Sequence, residues 1–185
     1  MKRKGMLIRL GIAVSVAVTA IAIHASQDKY SVQVPGGLAF SEFRGYESWQ
    51  VINVSHHKDV LAAILGNPAM IEAYKAGIPD NGKPVPDGAK MAKIHWKARI
   101  NEDAPGSPTV GGTQMDMDFM VKDSKRFADS GGWGYATFIY DAASNTFRPG
   151  DESDKPPQAH DAKCGYACHT EAQKRDYVFT SYGTR

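Results

Sequence analysis

The sequence predicts an α+β domain, mainly antiparallel β-sheet with a few short peripheral helices. Three stretches carry that expectation. Apolar and polar residues alternate from Ala89 to Lys97 and again through the run MDMDFMVKD that begins at Met115, and β-branched and aromatic residues fill Trp133 to Tyr140. Alternation with period 2 marks a strand with one buried face. Clusters of Gly, Pro, Asn and Asp separate the stretches, and the chain has no internal repeat or long low-complexity segment.

The first 25 residues read as a secretory signal. Lys2, Arg3 and Lys4 precede an apolar run from Leu10 to Ile23, and small residues follow, with cleavage sites after Ala22 or Ala25. The run is shorter than the roughly 18 to 20 residues of a spanning helix, and an uncleaved anchor is the competing reading. Removing the segment takes away Lys2, Arg3, Lys4 and Arg9 but no acid, leaving 18 basic side chains against 20 acidic ones. The slight positive balance of the full chain therefore belongs to the signal, and nucleic-acid binding is excluded as a function class. Export in this form suits a bacterial periplasm, where an unpaired thiol is unusual.

Residues 26–37 are polar and end in Pro35-Gly36-Gly37, a leader before a single domain at 38–185. Tyr46 to Val54 reads as a strand or a helix-to-strand entry. Asp59 and the following VLAAILGNPAMIEAYKAG read as helical, with Asp59 as N-cap, Gly77 as the stop and Asn67-Pro68 dividing the stretch into two short helices. Ile78 to Gly88 is turn chemistry. The next strand puts Ala92, Ile94 and Trp96 on one face and Met91, Lys93, His95 and Lys97 on the other. In MDMDFMVKD, Met115, Met117, Phe119 and Val121 oppose Asp116, Asp118, Met120 and Lys122. The third strand, Trp133 to Tyr140, leaves through a hairpin loop at Asp141 to Asn145 toward a partner at Thr146 to Arg148. A charged, proline-containing loop, GDESDKPPQAHDAK, then reaches the cysteines.

The chain has two cysteines, and both lie in Cys164-Gly165-Tyr166-Ala167-Cys168, followed at once by His169. A c-type haem needs two thiols to form thioethers and a histidine beside the second to bind iron, and these three residues supply that set. The spacing C-x-x-x-C-H is one residue longer than the usual C-x-x-C-H. A disulfide between Cys164 and Cys168 would leave His169 unexplained. Zinc on Cys164, Cys168, His169 and His160 would put adjacent ligands on one tetrahedral ion, which is awkward. A redox pair would want the oxidoreductase spacing. One covalently attached haem c is therefore the expected cofactor. A motif this late in a sheet-rich chain fits neither the small electron-transfer cytochromes, which carry it near their start, nor the four-helix ones.

With the NPAMIEAYKAG stretch, PVPDGAKMAKIHWK, GGWGYATF and CGYACH, the chain resembles the cytochrome P-460 family and its close relative, the sheet-type cytochrome c′ (c′-beta), from about Phe40 to Tyr182. The resemblance implies an antiparallel sheet with peripheral helices, often dimeric, holding a c-type haem. Its thioether positions would be Cys164 and Cys168, and His169 the only protein ligand to the haem iron. In the P-460 branch a lysine is also bonded to the haem edge and the protein oxidises hydroxylamine; the matching residue is Lys93, in the strand after the P-D-G turn. Read from its strand alone, Lys93 is equally a solvated lysine of a half-exposed sheet, with Lys90 and Lys97 as the other lysines in reach.

An open sixth position on iron would make the protein a catalyst or a gas binder. His56 and His57 read as a polar helix entrance. His95 reads as a distal group or as a strand histidine satisfied by hydrogen bonds, and Met115, Met117 and Met120 as packing. Oxidation of hydroxylamine also needs a proton acceptor near the iron. Asp116 and Asp118 could serve, although alternating aspartates usually form the wet face of a strand. A distal wall of Trp133, Tyr135 and Phe138 would instead favour apolar diatomics. The expectation is a periplasmic mono-haem cytochrome that oxidises hydroxylamine or detoxifies nitrogen oxides at a five-coordinate iron. Its partners would be that small ligand, an external electron acceptor such as a small cytochrome, and a second copy of itself. The alternatives are a nitric oxide or carbon monoxide binding or sensing protein without turnover, and a simple electron-transfer cytochrome with a strong sixth ligand. Whether the chain is an enzyme stays open at this point.

Overall fold

The computed structural model of the chain describes residues 27–150, 154–155, 158–159, 162–163 and 165–184. The expected signal segment, His160 and Cys164 lie outside the described residues. One six-stranded sheet dominates: β1 (Gln50–His57), β2 (Val60–Gly66), β3 (Lys90–Ile100), β4 (Thr109–Lys122), β5 (Trp133–Asp141) and β6 (Thr146–Pro149). The strands follow one another in chain order and every neighbouring pair is antiparallel. Two short helices, α1 (Pro68–Lys75) and α2 (Tyr166–His169), and several 3-10 turns lie around it. A two-stranded ribbon, β7 (Asp154–Lys155) with β8 (Gln158–Ala159), stands apart. The mainly antiparallel α+β class expected from the alternation is the class observed.

One expected helix is a strand. Val60–Gly66 pairs with β1 on one side and β3 on the other. A strand inside a sheet covered on both faces reads as a continuous apolar run, which periodicity cannot separate from a helix. Lys58, at φ 53°, and Asp59 form the two-residue turn that closes the β1–β2 hairpin, so Asp59 is a turn residue rather than an N-cap. His56 and His57 accordingly end β1 and are exposed; they do not open a helix. Only the second half of the stretch is helical. Its N-cap is Asn67, whose Oδ1 accepts from Met70 N–H at 3.0 Å, and Pro68 sits at the first helical position, where its missing donor costs nothing. The same side chain accepts from Lys90 N–H (2.9 Å) and donates to the Gly88 carbonyl (2.9 Å), which ties the start of α1 to the start of β3.

The two faces of the sheet are covered by different parts of the chain. Ala92, Met117, Phe119, Ala136 and Phe138 face one core, against Val32, Val34, Leu38, Phe40 and Phe43. Phe40 lies 4.9 Å from Phe138 and 5.2 Å from Phe119, and Phe43 stacks on Phe119 at 4.2 Å, contacts worth about 0.5–1.5 kcal/mol each beyond burial. The polar stretch before Leu38 takes part, because Val34 is fully buried. On the opposite face Ile64, Met91, Met120, Trp133 and Tyr135 pack against Met70, Ile71 and Tyr74 near or in α1 and against Val178. The face assignments read from alternation hold from Met91 to Ile94 in β3 and from Asp116 to Val121 in β4; at Trp96, which pairs with Gln114, a bulge breaks the register.

β6 is short and pairs only with Phe138 to Asp141 of β5. The edge of the preceding half of β5 is taken by the chain just before the cysteine pair: Tyr135 N–H donates to the Ala162 carbonyl at 2.7 Å, and Tyr135 and Lys163 form a parallel bridge. That contact delivers α2 to the second face of the sheet.

Candidate functional site

α2 begins after Gly165, whose φ of 80° turns the chain abruptly. Its last residue, His169, is half-buried, with its ring 4.9 Å from Tyr135 and 5.0 Å from Phe179. His169 Nδ1 lies 2.7 Å from the Tyr177 carbonyl, an acceptor only, so Nδ1 carries the proton and donates. The nitrogen left with a lone pair is Nε2, the arrangement a histidine ligand to a metal requires. Burial lowers the His169 pKa below its ordinary value, opposed by the Tyr177 hydrogen bond and the Asp118 charge; the balance favours the neutral imidazole, the form that can ligate a metal. The carbonyl that accepts this proton sits in an unusual turn. Asp176 (φ 49°) and Tyr177 (φ 65°) are consecutive non-glycine residues in the left-handed region, each at a cost of about 1–2 kcal/mol.

His169 and Cys168 line a cavity of about 480 Å³ on the second face of the sheet. This is within the range of roughly 300–1,000 Å³ typical of small-molecule and cofactor sites. Its sheet wall includes Lys93, Asp118, Met120, Tyr135 and Thr137. Lys93 and Asp118 are register partners across β3 and β4, and Asp118 and Thr137 are partners across β4 and β5. Antiparallel pairing therefore sets an amine, a carboxylate and a hydroxyl side by side. Thr137 Oγ1 donates to Asp118 Oδ1 at 2.7 Å. The Asp118 side chain is 45% exposed, but toward a cavity with protein walls, and that desolvation raises its pKa. The Thr137 hydrogen bond, His95 and Lys93 act in the opposite sense, and the Asp116 charge adds to the rise. Behind Asp118, His95 Nδ1 pairs with Asp116 Oδ1 and lies 3.8 Å from Asp118 Oδ2.

The structure brings together His169, Cys168 and Lys93 of the residues singled out from sequence. It corrects several others. Asp118 belongs to the cavity rather than to a wet face, so the cavity's carboxylate comes from β4. Of the wall expected from Trp133, Tyr135 and Phe138, Tyr135 alone lines the cavity. Phe138 lies on the opposite face, as the alternation of β5 demands, and Trp133 is fully buried with its indole N–H donating to the Asp176 carbonyl at 2.8 Å. Lys90 is drawn away to the Glu42 carbonyl, and Lys97 is exposed. Met117 fills the first core and Met115 is exposed, whereas Met120 packs in the second core beside the cavity.

Sequence reasoning missed Thr137 and the Tyr177 carbonyl. Thr137 could have been found from the register of β5 against β4; a backbone acceptor has no residue-level signature.

These residues fit a c-type haem. An imidazole with its Nδ1 satisfied and the thiol of the preceding residue line the same cavity. Tyr135 offers a second sign: its hydroxyl is buried, has no hydrogen-bond partner among the described residues, and belongs to a side chain that lines the cavity. A family model described as Cytochrome P460 matches residues 43–180, which cover the sheet, the cavity walls and the Cys168-His169 pair. No curated protein matches the chain.

Proposed function

This chain belongs to the cytochrome P460 family and is a haem cytochrome of that type, and on that premise we propose that it oxidises hydroxylamine or a related nitrogen oxide. The observation that carries the reading is the pairing of Lys93 with Asp118 across β3 and β4, on the wall of the cavity that His169 also lines. A wall bearing an amine, a carboxylate and a hydroxyl supports proton-coupled oxidation over the mere binding of an apolar diatomic.

In this reading Cys164 and Cys168 form the thioethers, His169 Nε2 holds the iron, and Lys93 Nζ is bonded to the haem edge as in the P-460 branch. When bound, the haem supplies a Lewis-acidic centre that takes electrons one at a time and passes them to an external acceptor. Asp118 is the base. Its raised pKa keeps the carboxylate more basic than an exposed one, closer to what proton abstraction at neutral pH requires. Thr137 fixes its orientation, and His95, whose Nδ1–H donates to the partly exposed Asp116, sets a second polar group 3.8 Å from Asp118 Oδ2. The basic, apolar N-terminal segment supports export to the periplasm, with a small cytochrome as acceptor and a homodimer as the working unit.

Asp118→Asn tests the assignment. Hydroxylamine oxidation should fall by about 10²–10⁴, the usual contribution of a positioned general base, with haem content and ferrous spectrum retained. A full rate in that variant would contradict the role given to Asp118.

A further inference from the structure

We infer that the buried Lys122–Asp176 ion pair is a positioning device for His169: it locks the turn whose carbonyl takes the His169 Nδ1 proton, and so sets the strength of the iron–histidine bond. The inference rests on the reading of His169 as the iron ligand and deepens it.

Lys122 ends β4 and is only 5% exposed. Its ammonium has three protons and three acceptors, all at 2.9 Å: Asp176 Oδ1, Asp176 Oδ2 and the Gly131 carbonyl. Asp176 is held at every polar group. Oδ2 also accepts from Val85 N–H (2.7 Å), its carbonyl accepts from the Trp133 indole (2.8 Å), and its own N–H donates to the Gln173 carbonyl (3.0 Å).

The grip passes directly to the next residue. Tyr177 N–H donates to the Ala172 carbonyl at 2.9 Å, and its ring lies so close over Gly131 that a Cβ there would come within 2.2 Å of Tyr177 Cε2. Held on both sides in the left-handed conformation, Tyr177 presents its carbonyl 2.7 Å from His169 Nδ1. Without the pair, a turn made of two non-glycine residues at positive φ would relax toward negative φ and swing that carbonyl away.

A buried ion pair is a weak source of net stability, because desolvation offsets much of the attraction. What this one accomplishes is geometric. A hydrogen bond accepted from Nδ1–H raises the basicity of Nε2, strengthens its bond to iron and favours the ferric state.

The test uses haem-loaded protein carrying Lys122→Met and Asp176→Asn together, so that no charge is left buried and unpaired. The iron–histidine stretch of the ferrous form is read by resonance Raman spectroscopy, and the midpoint potential by redox titration. We expect the stretch to move to lower frequency and the potential to rise. Trp133→Phe, which removes one anchor of the same turn and keeps the ion pair, should shift both in the same direction by less. Wild-type values of both in a double variant with full haem content would overturn the inference. Absence of any iron–histidine band from a wild-type protein whose ferrous haem is five-coordinate and high-spin would instead overturn the ligand assignment, and the inference with it.

Discussion

Single residues at the cavity have opposite effects on stability and on chemistry. Burial raises the Asp118 pKa above the roughly 3.9 of an unfolded aspartate, so its ionisation opposes folding. The stability associated with its neutral form is fully present below the unfolded value and is lost as pH rises through the folded one. Asp118→Asn should therefore be neutral or stabilising at neutral pH while it slows the reaction, and thermal unfolding at several pH values checks the first part. The same shift places a rising limb in the pH profile of hydroxylamine oxidation, with an apparent pKa above the ordinary carboxylate range. That limb should disappear in the residual activity of Asp118→Asn. Asp118 was half-legible in the sequence. Alternation put it on the same face as Met120 and Lys122, and that mixture was a sign against a purely wet face. What alternation cannot tell is that a segment some fifty residues later returns to roof that face.

At the scale of elements, strands were readable where only one face was apolar. β3 and β4 announced themselves by period 2, β5 by its β-branched and aromatic residues between turn signals, and β6 by its position after a hairpin loop. β2 was not readable, because its burial on both sides erases the alternation that separates a strand from a helix. The junction between β2 and α1 depends on a single side chain. Asn67 caps α1 and bonds two backbone groups at the start of β3, the strand that carries Lys93. Asn67→Ala should cost about 1–2 kcal/mol, at the upper part of the range for a lost N-cap, because three hydrogen bonds go at once. Denaturant unfolding measures it. A loss below a few tenths of a kcal/mol would mean that the cap does not anchor the β3 start.

For the whole molecule, the sheet divides labour between its faces. The N-terminal face is an aromatic core with Phe40, Phe119 and Phe138 in contact; the other face is completed by α1, the C-terminal segment and the cavity. Phe138→Ala should therefore lower stability by about 3–5 kcal/mol while leaving the absorption of the haem-loaded folded protein in place. Cys168→Ser acts on the opposite face: it should lose covalent haem, which denaturing electrophoresis with haem staining detects, without disturbing the aromatic core. Full covalent attachment in that variant would count against the thioether role of Cys168.

Whether the face bearing His169 holds a haem bonded also to Lys93 is tested most directly by the ferrous absorption spectrum. It should be recorded for the wild-type protein, exported with haem-attachment machinery present, and for Lys93→Ala. A Soret band far to the red of an ordinary ferrous c haem in the wild type, reverting in Lys93→Ala, is the predicted result. An ordinary high-spin c-type spectrum in the wild type, unchanged by the substitution, would contradict the cross-link and with it the hydroxylamine-oxidising assignment.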